Sequence, residues 1–459
     1  MVGNRNSKMN RRDFLRMAGM TAGAVALAAC APAGAPGAAA PAAEGGAAAP
    51  AAADTVVVEA WAHWEQGLNW IDTALKESGF WEKHPNWSLN KVVLPFAEVH
   101  DKLLAATASG VGTPDIARIE QGRMSAFFKT DDVGFVALND SIGDRMKDLV
   151  AGSATDYWTW KGQVYGIGNE VNACTLAYRK SIFDEIGVET PFATWDDFVE
   201  ASKKLKADKN MAGISFHDLS DGDLQMMLFN AGEQFFLEDG NFGGLNDIGK
   251  QILTMQAQML KDGTAVVAPA TGDATWNAPN YWEIYRQDQV AAVLGAPWWN
   301  GKLGNDDRIG PGPQEKQWRI QALPGGIGKG IPTATHGGTS VSIPKAAAHK
   351  DEAWAIIEES HLTKAVLQDV KERGIVPSYI PAIEDPLVHE PYAFYDGQVI
   401  GDLYLDLAKQ MPRIFQSPWA TDIHTAVVSI IVTPVLQQGA DIDKAFEDCA
   451  VEIERIKAM

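Results

Sequence analysis

From Thr55 to the C-terminus the sequence alternates between short apolar runs and helical repeats, and this alternation restricts the fold more than any other feature. Thr55-Val56-Val57-Val58-Glu59-Ala60-Trp61 reads as a buried strand. Glu98–Ser109 reads as a helix, with Val99, Leu103 and Ala106 on one face and Gly110 as its stop. Thr113–Ile119 reads as a turn into a strand. Thr194 is placed to cap a helix, with Asp197 three residues on and Phe198, Ala201 and Leu205 sharing a face. Val290–Leu294 and Arg319–Leu323 are short strand candidates. Asp351–Arg373 reads as one long helix ended by Gly374. Behind Asp441, the residues Ile442, Phe446, Cys449, Ile453 and Ile456 recur at steps of four and three, an amphipathic helix. Strand and helix alternating over about 400 residues predict an α/β fold with mostly parallel sheets and flanking helices. The sequence has no internal repeat of the length that builds solenoids.

The first fifty residues are of another kind. Asn10-Arg11-Arg12-Asp13-Phe14-Leu15-Arg16 precedes an Ala/Gly-rich apolar stretch, Met17–Ala29, too short to span a bilayer, which needs about 20 apolar residues. It has the length of a signal-peptide core. The paired arginines resemble a twin-arginine export signal. Leu27-Ala28-Ala29-Cys30 resembles a bacterial lipoprotein box, which implies cleavage before Cys30 and lipid on its thiol. Residues 31–53 comprise 14 Ala, four Pro, four Gly and Glu44, a composition that builds no core and reads as a tether. The expected organisation is a signal peptide at 1–29, a lipidated cysteine and tether at 30–53, and a body from 54 onward. No later apolar run near 18 residues stands out, so no membrane-spanning helix is expected.

Charge and chemistry exclude several functions. The chain has 39 basic and 59 acidic residues, a formal −20. Residues 1–29 hold five of the basic side chains and one acid, which leaves 34 against 58 and a body of −24. Such acidity repels phosphate backbones, so nucleic acid is not an expected partner. Three cysteines rule out a disulfide scaffold and a four-cysteine zinc site. Cys449 lies on the last helix's apolar stripe and reads as core, while Cys174 lies in a candidate strand. Pairing between them is neither required nor excluded by spacing. Gly325-Gly326-Ile327-Gly328-Lys329-Gly330 mimics a phosphate loop but carries Gly330 where Ser or Thr is needed. Asp218-Leu219-Ser220-Asp221-Gly222-Asp223 looks like a calcium loop, yet Phe229 stands where an EF-hand has Glu. No metal, cofactor or catalytic motif emerges, and the expectation is not an enzyme. Paired carboxylates of an exported glycoside hydrolase remain open, because their separation is spatial.

Several segments together resemble bacterial extracellular solute-binding proteins of family 1, the receptors of ABC importers. They are Gly110-Val111-Gly112-Thr113-Pro114-Asp115-Ile116, Tyr165-Gly166-Ile167, Leu176 to Gly187, and Thr194-Trp195-Asp196-Asp197-Phe198. Val293 to Trp299, Ala322 to Gly325, Ile343-Pro344-Lys345 and the final helix follow in order. The sequence departs at Gly168, where the family usually has Pro, and at Arg179, where it usually has Asn; Arg179 is expected to alter a lobe-surface contact. The resemblance implies a two-lobed periplasmic-binding-protein-like fold of class II with a hinge of two or three crossings. These are placed near Gly168–Val171, Thr335–Gly338 and Pro381. The lobes are expected at 54–168 plus 337–380 and at 169–336 plus 381–459.

The same resemblance implies a lipid-anchored, extracytoplasmic monomer that captures a mono- or oligosaccharide between its lobes and hands it to the permease subunits of an ABC importer. A receptor for a non-sugar solute, such as a glycerol phosphodiester, polyamine or amino acid, is the alternative. A sugar site needs flat apolar faces and a few polar groups, and the 15 tryptophans supply candidate faces. The expected ligand residues are Trp64, Glu65 and Gln66 after the first strand, and Glu120, Gln121 and Arg123 after the Pro-Asp strand. Glu170 and Asn172 join them from the first crossing, Asp218 from a loop of the second lobe, Trp298 and Trp299 after Pro297, and Trp419 after Ser417-Pro418. Trp61, His63, His217, Asp221 and Asn300 are neighbours of these. Trp195 and Trp354 read as structural.

Overall fold

The computed structural model describes residues 55–269 and 279–459. Cys30 and the expected signal and tether lie outside the described residues. Two five-stranded sheets organise the body. The first runs β2-β1-β3-β12-β6, from β1 (Val56–Ala62), β2 (Trp87–Val93), β3 (Ile116–Glu120), β6 (Ile167–Gly168) and β12 (Thr339–Ser342). The second runs β11-β7-β10-β8-β9, from β7 (Thr175–Arg179), β8 (Ala212–Phe216), β9 (Ala265–Val267), β10 (Val290–Gly295) and β11 (Trp318–Gln321). A hairpin of β4 (Thr159–Trp160) and β5 (Gln163–Val164) stands apart.

Each of the first three strands leads into a helix: α1 (Gln66–Glu77), α2 (Phe96–Ser109) and the short α3 (Gln121–Met124). The helices after β1 and β2 let β1, β2 and β3 run parallel. β8 likewise runs parallel to β9 and β10. The expectation of mostly parallel sheets needs correction, because β12 is antiparallel to β3 and β6, and β7 to β10 and β11. β7 and β12 each enter their sheet directly from the other one, with no crossover helix to turn the chain.

Local chemistry sets the helix ends. α4 (Trp195–Lys209) opens on a capping box: Thr194 Oγ1 accepts from Asp197 N at 3.1 Å, and Asp197 Oδ2 accepts from Thr194 N at 2.9 Å. α5 (Gly222–Asn230) is buried along its whole length. The expected helix 351–373 is broken in two, α6 (Lys350–His361) and α7 (Leu367–Arg373). Thr363 makes the break: its hydroxyl donates to Glu359 O at 2.6 Å and accepts from Ala365 N at 3.0 Å, a local turn that competes with the helical ladder. Gly374, at φ 65°, ends α7 as expected.

A continuous helical run spans Ala420–Gln438, beginning as α8 (Ala420–Ala426). By length and composition it is apolar enough to cross a membrane, with mean hydropathy 1.3, which the sequence reading missed. Its Ile423, Val427, Ile431 and Val435 nevertheless pack in the body's core. The run widens into π-type turns at Val427–Val432, just before Pro434. Proline lacks an N–H and crowds the carbonyl four residues back, which accounts for the widening. The last helix, α9 (Ile442–Lys457), is capped by Asp441, which accepts from Lys444 N at 2.8 Å. Its buried Phe446, Ile453 and Ile456 each contribute about 1.5–3 kcal/mol relative to exposure.

Two segments carry the chain between the sheets, from β6 to β7 and from β11 to β12, and a third stretch at Val376–Ser378 is laced to the first. Val171 N donates to Val376 O at 2.8 Å, Ser378 N to Asn169 O at 3.0 Å, and Cys174 N to Ala334 O at 2.9 Å. Cys174 thus sits in a crossing, one residue before β7. Cys174 and Cys449 are separate, buried free thiols. The two apolar cores each draw on both sheets: one joins Ile119 and Phe127 to Phe198 and Ile423, the other Val58 and Ile71 to Val293 and Trp299. Arg179 is buried rather than on a lobe surface, and its guanidinium donates to Asp288 Oδ1 and Gln317 Oε1, both at 2.6 Å.

Candidate functional site

The two halves of the body meet where α3 faces α8. Glu120 ends β3 and caps α3, its Oε2 accepting from Gly122 N at 2.8 Å. Across the seam, the Ser125 and Thr421 hydroxyls lie 3.3 Å apart, and Lys129 Nζ donates to Asp422 Oδ2 at 2.8 Å. On the inner side of this contact lies a cavity of about 20 Å³. Gln121 and Tyr157 line it from one half; Gln225, Phe229, Phe235 and His424 line it from the other. That volume holds about one water and no sugar ring. On the outer side is an open groove of about 460 Å³, lined by Phe128 and Trp160 on one wall and Trp419 on the other.

The first turns of α5 organise the polar groups. Asp221, Asp223 and Gln225 each hold a different histidine. His424 Nδ1 meets Asp221 Oδ2 at 2.6 Å, His217 Nδ1 meets Asp223 Oδ2 at 3.1 Å, and His336 Nδ1 meets Gln225 Oε1 at 3.1 Å. Burial pushes His336 down to about 4, against the pull of Asp223 and Asp221. Burial also lowers His424, but Asp221 and Glu120 outweigh it and the net shift is upward. Burial drives the Glu120 carboxyl up to about 7, over the opposing effects of Gly122 N–H, Arg123 and His424. Behind Glu120, His100 Nε2 accepts from Glu120 N at 3.2 Å while Nδ1 meets Phe96 O at 2.6 Å, so the ring is neutral with its proton on Nδ1. Burial takes His100 down to about 4 and His63 to about 3. Among the described residues no group of three or more His, Cys, Asp or Glu side chains is placed to hold a metal ion.

The expected ligand residues are dispersed by the structure. Glu120 and Gln121 stand at the seam. With its amide oriented to satisfy its neighbours, Gln121 donates to Tyr157 Oη at 2.9 Å and accepts from Gly337 N at 3.0 Å. Arg123 lies over the Phe96 ring at 5.0 Å. Trp64 is half-buried beneath the Arg118 guanidinium at 4.7 Å, while Glu65 and Gln66 are exposed at the start of α1; none of the three lines either cavity. Glu170 and Asn172 are buried in the first crossing, Glu170 paired through its backbone with Pro377. Asp218 is spoken for, its carboxylate accepting from Gln437 and its carbonyl from Thr433. Trp299 is wholly enclosed, with Tyr281, Trp282 and His217 rings within 5.8 Å. Trp298 stacks on it at 5.9 Å and 12°, is half-buried, and donates from Nε1 to His336 O at 3.2 Å. Trp419 lines the outer groove. Asn300 donates to Thr175 O at 2.8 Å and Gly295 O at 3.1 Å, a structural role. Trp61 is core, its Nε1 bonded to Glu59 Oε1 at 2.7 Å.

Sequence reasoning missed Tyr157, Gln225, His336 and His424, along with Phe128 and Trp160. His424 lies five residues past Trp419, and His336 sits inside the expected crossing at 335–338, so both had a positional signal.

Residues 78–390 match the family described as bacterial extracellular solute-binding protein. The chain belongs to that family. Among curated relatives of this solute-binding protein, the lactose-binding protein of Rhizobium radiobacter is 27% identical over 400 residues, 84% of this chain and 90% of that one. The arabinooligosaccharide-binding protein of Bacillus subtilis (strain 168) is 26% identical over 297 residues, 62% of this chain and 66% of the other. Among solved structures, the GacH receptor of Streptomyces glaucescens GLA.O superposes with a TM-score of 0.70 at 16% identity, covering 88% of this chain and 98% of that one. The last likeness bears on the fold, that of a two-lobed periplasmic binding protein. These relatives are binding proteins rather than enzymes.

Proposed function

We propose that this solute-binding protein captures a carbohydrate between its two halves and delivers it to an ABC importer. The observation that carries the reading is the seam, where Gln121 and Tyr157 face Gln225 and His424 in a setting of phenylalanine rings. Amides, a phenol and an imidazole suit hydroxyl groups, and aromatic rings suit the C–H faces of a sugar. The curated relatives named for lactose and arabino-oligosaccharides support the same class. The lobes are taken as 54–168 plus 337–380 and 169–336 plus 381–459, turning about the two crossings and the stretch laced to the first. A ligand touching both lobes favours their closed arrangement through its greater affinity for it. Isothermal titration calorimetry with lactose, arabino-oligosaccharides and their monosaccharides tests this. Micromolar binding, about −8 kcal/mol, is expected for at least one; no heat across the whole panel sinks the reading.

The proposed location is the outer face of the cytoplasmic membrane, held by lipid on Cys30 after export and acting as a monomer. The motivating feature is the order of arginine pair, apolar run and Leu27-Ala28-Ala29-Cys30. The Cys30→Ser chain is expected to lose radiolabelled fatty acid and appear in the soluble fraction. Label retained in that variant refutes the anchor.

A further inference from the structure

Between the helix Ile400–Ala408 and α8 the chain runs through a strap, residues 411–417, that is neither helix nor strand. A stretch without a hydrogen-bond ladder of its own has to be held by its neighbours. Here the holders come from both halves. From the half that carries Tyr157, Ser153 Oγ donates to Met411 Sδ at 3.1 Å. Gly152 lies so close to Pro412 O that an added Cβ would stand 2.6 Å from it. Asp156 Oδ2 accepts from Arg413 Nε at 2.7 Å and from Ile414 N at 3.0 Å. From the half that carries Gln225, Gln234 Nε2 donates to Arg413 O at 3.0 Å.

Asp156 is the centre of this lacing. Its side chain is 1% exposed, whereas that of Arg413 is 72% exposed. Its other oxygen, Oδ1, is enclosed and has no hydrogen-bond partner among the described residues. The two donors on Oδ2 therefore carry the whole task of holding a buried carboxylate. Charge-assisted bonds of this kind are roughly twice as strong as neutral ones. Beyond this point the strap forms part of the wall of the inner cavity, where Ile414, Phe415 and Gln416 join Gln121 and Tyr157. Tyr157 follows Asp156 directly, so the short turn Asp156–Trp158 both presents the phenol and fixes the wall beside it. Asp156 itself does not line the cavity.

We propose that Asp156 is a positioning residue for saccharide binding: through Arg413 and Ile414 N it holds the Ile414–Gln416 wall where the ligand meets it, without touching the ligand. This rests on the carbohydrate reading above, with the inner cavity as the seat of the ligand. An asparagine at this place offers the same oxygen to both donors but takes away the charge, so the clasp loosens while the shape is kept. Arg413 answers from the strap, and its exposed side chain leaves room for other cations to do so.

The test titrates the full-length chain calorimetrically with lactose, arabinotriose, galactose and arabinose. Affinity and stoichiometry are fitted together, so only folded protein is scored, and variants are compared on the ligand that wild type binds most tightly. Asp156→Asn is expected to weaken that ligand about tenfold (1.4 kcal/mol) at unchanged stoichiometry. Arg413→Gln, a change at an exposed side chain, is expected to do the same. Arg413→Lys, whose flexible ammonium reaches Oδ2, is expected to bind within about twofold of wild type, a rescue that a general loss of stability does not explain. Asp156→Asn combined with Arg413→Gln is expected to lose no more than about tenfold, because both changes break one clasp. An Arg413→Gln protein that binds within about twofold of wild type, or a double variant whose losses multiply to about a hundredfold, overturns the positioning role alone, whether or not Asp156→Asn folds. Failure of wild type to bind any member of the panel overturns the carbohydrate reading and the positioning role with it.

Discussion

Glu120 illustrates how a single residue acquires its properties from elements far apart in sequence. Its position after the Pro-Asp strand is plain in the chain. Its carboxyl near pH 7 is not, because the burial responsible arises only when the folded chain packs around it. The sign of its effect follows from linkage. An acid whose folded pKa is raised favours the folded state most when protonated. Its stabilising contribution is thus complete below about 4.5 and lost as pH rises through about 7. Replacing Glu120 with Gln removes this dependence while keeping an oxygen for Gly122 N–H. The wild-type stability relative to Glu120→Gln is expected to fall by on the order of 1–2 kcal/mol between pH 4.5 and 8, allowing for partial exposure. Urea unfolding across that range measures it, and parallel pH profiles refute it. His424, also raised, changes in the same direction. His63, His100 and His336 act oppositely: each is depressed, so each contributes above about 6.5 and its contribution is lost as pH falls toward 3–4. Trp298 and Trp299 make a second case. Adjacent and chemically identical in the sequence, they share one short helix, Pro297–Asn300, and differ only in the side each ring takes: Trp299 is enclosed in the core, while Trp298 is half-buried against His336.

At the level of elements, what depends on neighbours in sequence was readable. The capping box at Thr194, the stop at Gly110 and the stripe of the last helix all form where local spacing places them. The break between α6 and α7 was missed because Thr363 can serve either a helix or a turn, and only the surrounding packing chooses. Sheet direction was misjudged for β7 and β12 because a crossing segment leaves no periodicity to read. The crossings themselves are conformationally demanding. Gly338 has φ 113°, and a Cβ there would lie 2.5 Å from Asn172 Nδ2. Gly338→Ala is expected to lower stability by about 1–3 kcal/mol. Gly312→Ala, with nothing within 4 Å of an added Cβ, serves as the reference and is expected to be near neutral. A urea midpoint for Gly338→Ala equal to that of Gly312→Ala refutes the constraint.

For the whole molecule, the inner cavity of about 20 Å³ is too small as it stands for a sugar ring. Binding then requires the halves to part and reclose on the ligand. Small-angle scattering is expected to give a larger radius of gyration for the ligand-free protein than for the same protein saturated with its saccharide; equal radii refute coupled closure. The sequence by itself determined the α/β class, the family likeness, the acidic charge of the body and the helix ends at Gly110, Thr194, Gly374 and Asp441. These rest on periodicity, local capping and composition, which need no knowledge of distant contacts. The tertiary structure alone decided which tryptophans reach a groove, that three histidines converge on α5, and that Glu120 and His424 lie near enough for each to shift the other's charge. Apart from His217, which lies 6 positions from Asp223, these depend on residues roughly 100 to 300 positions apart, brought together when the two sheets close across the seam.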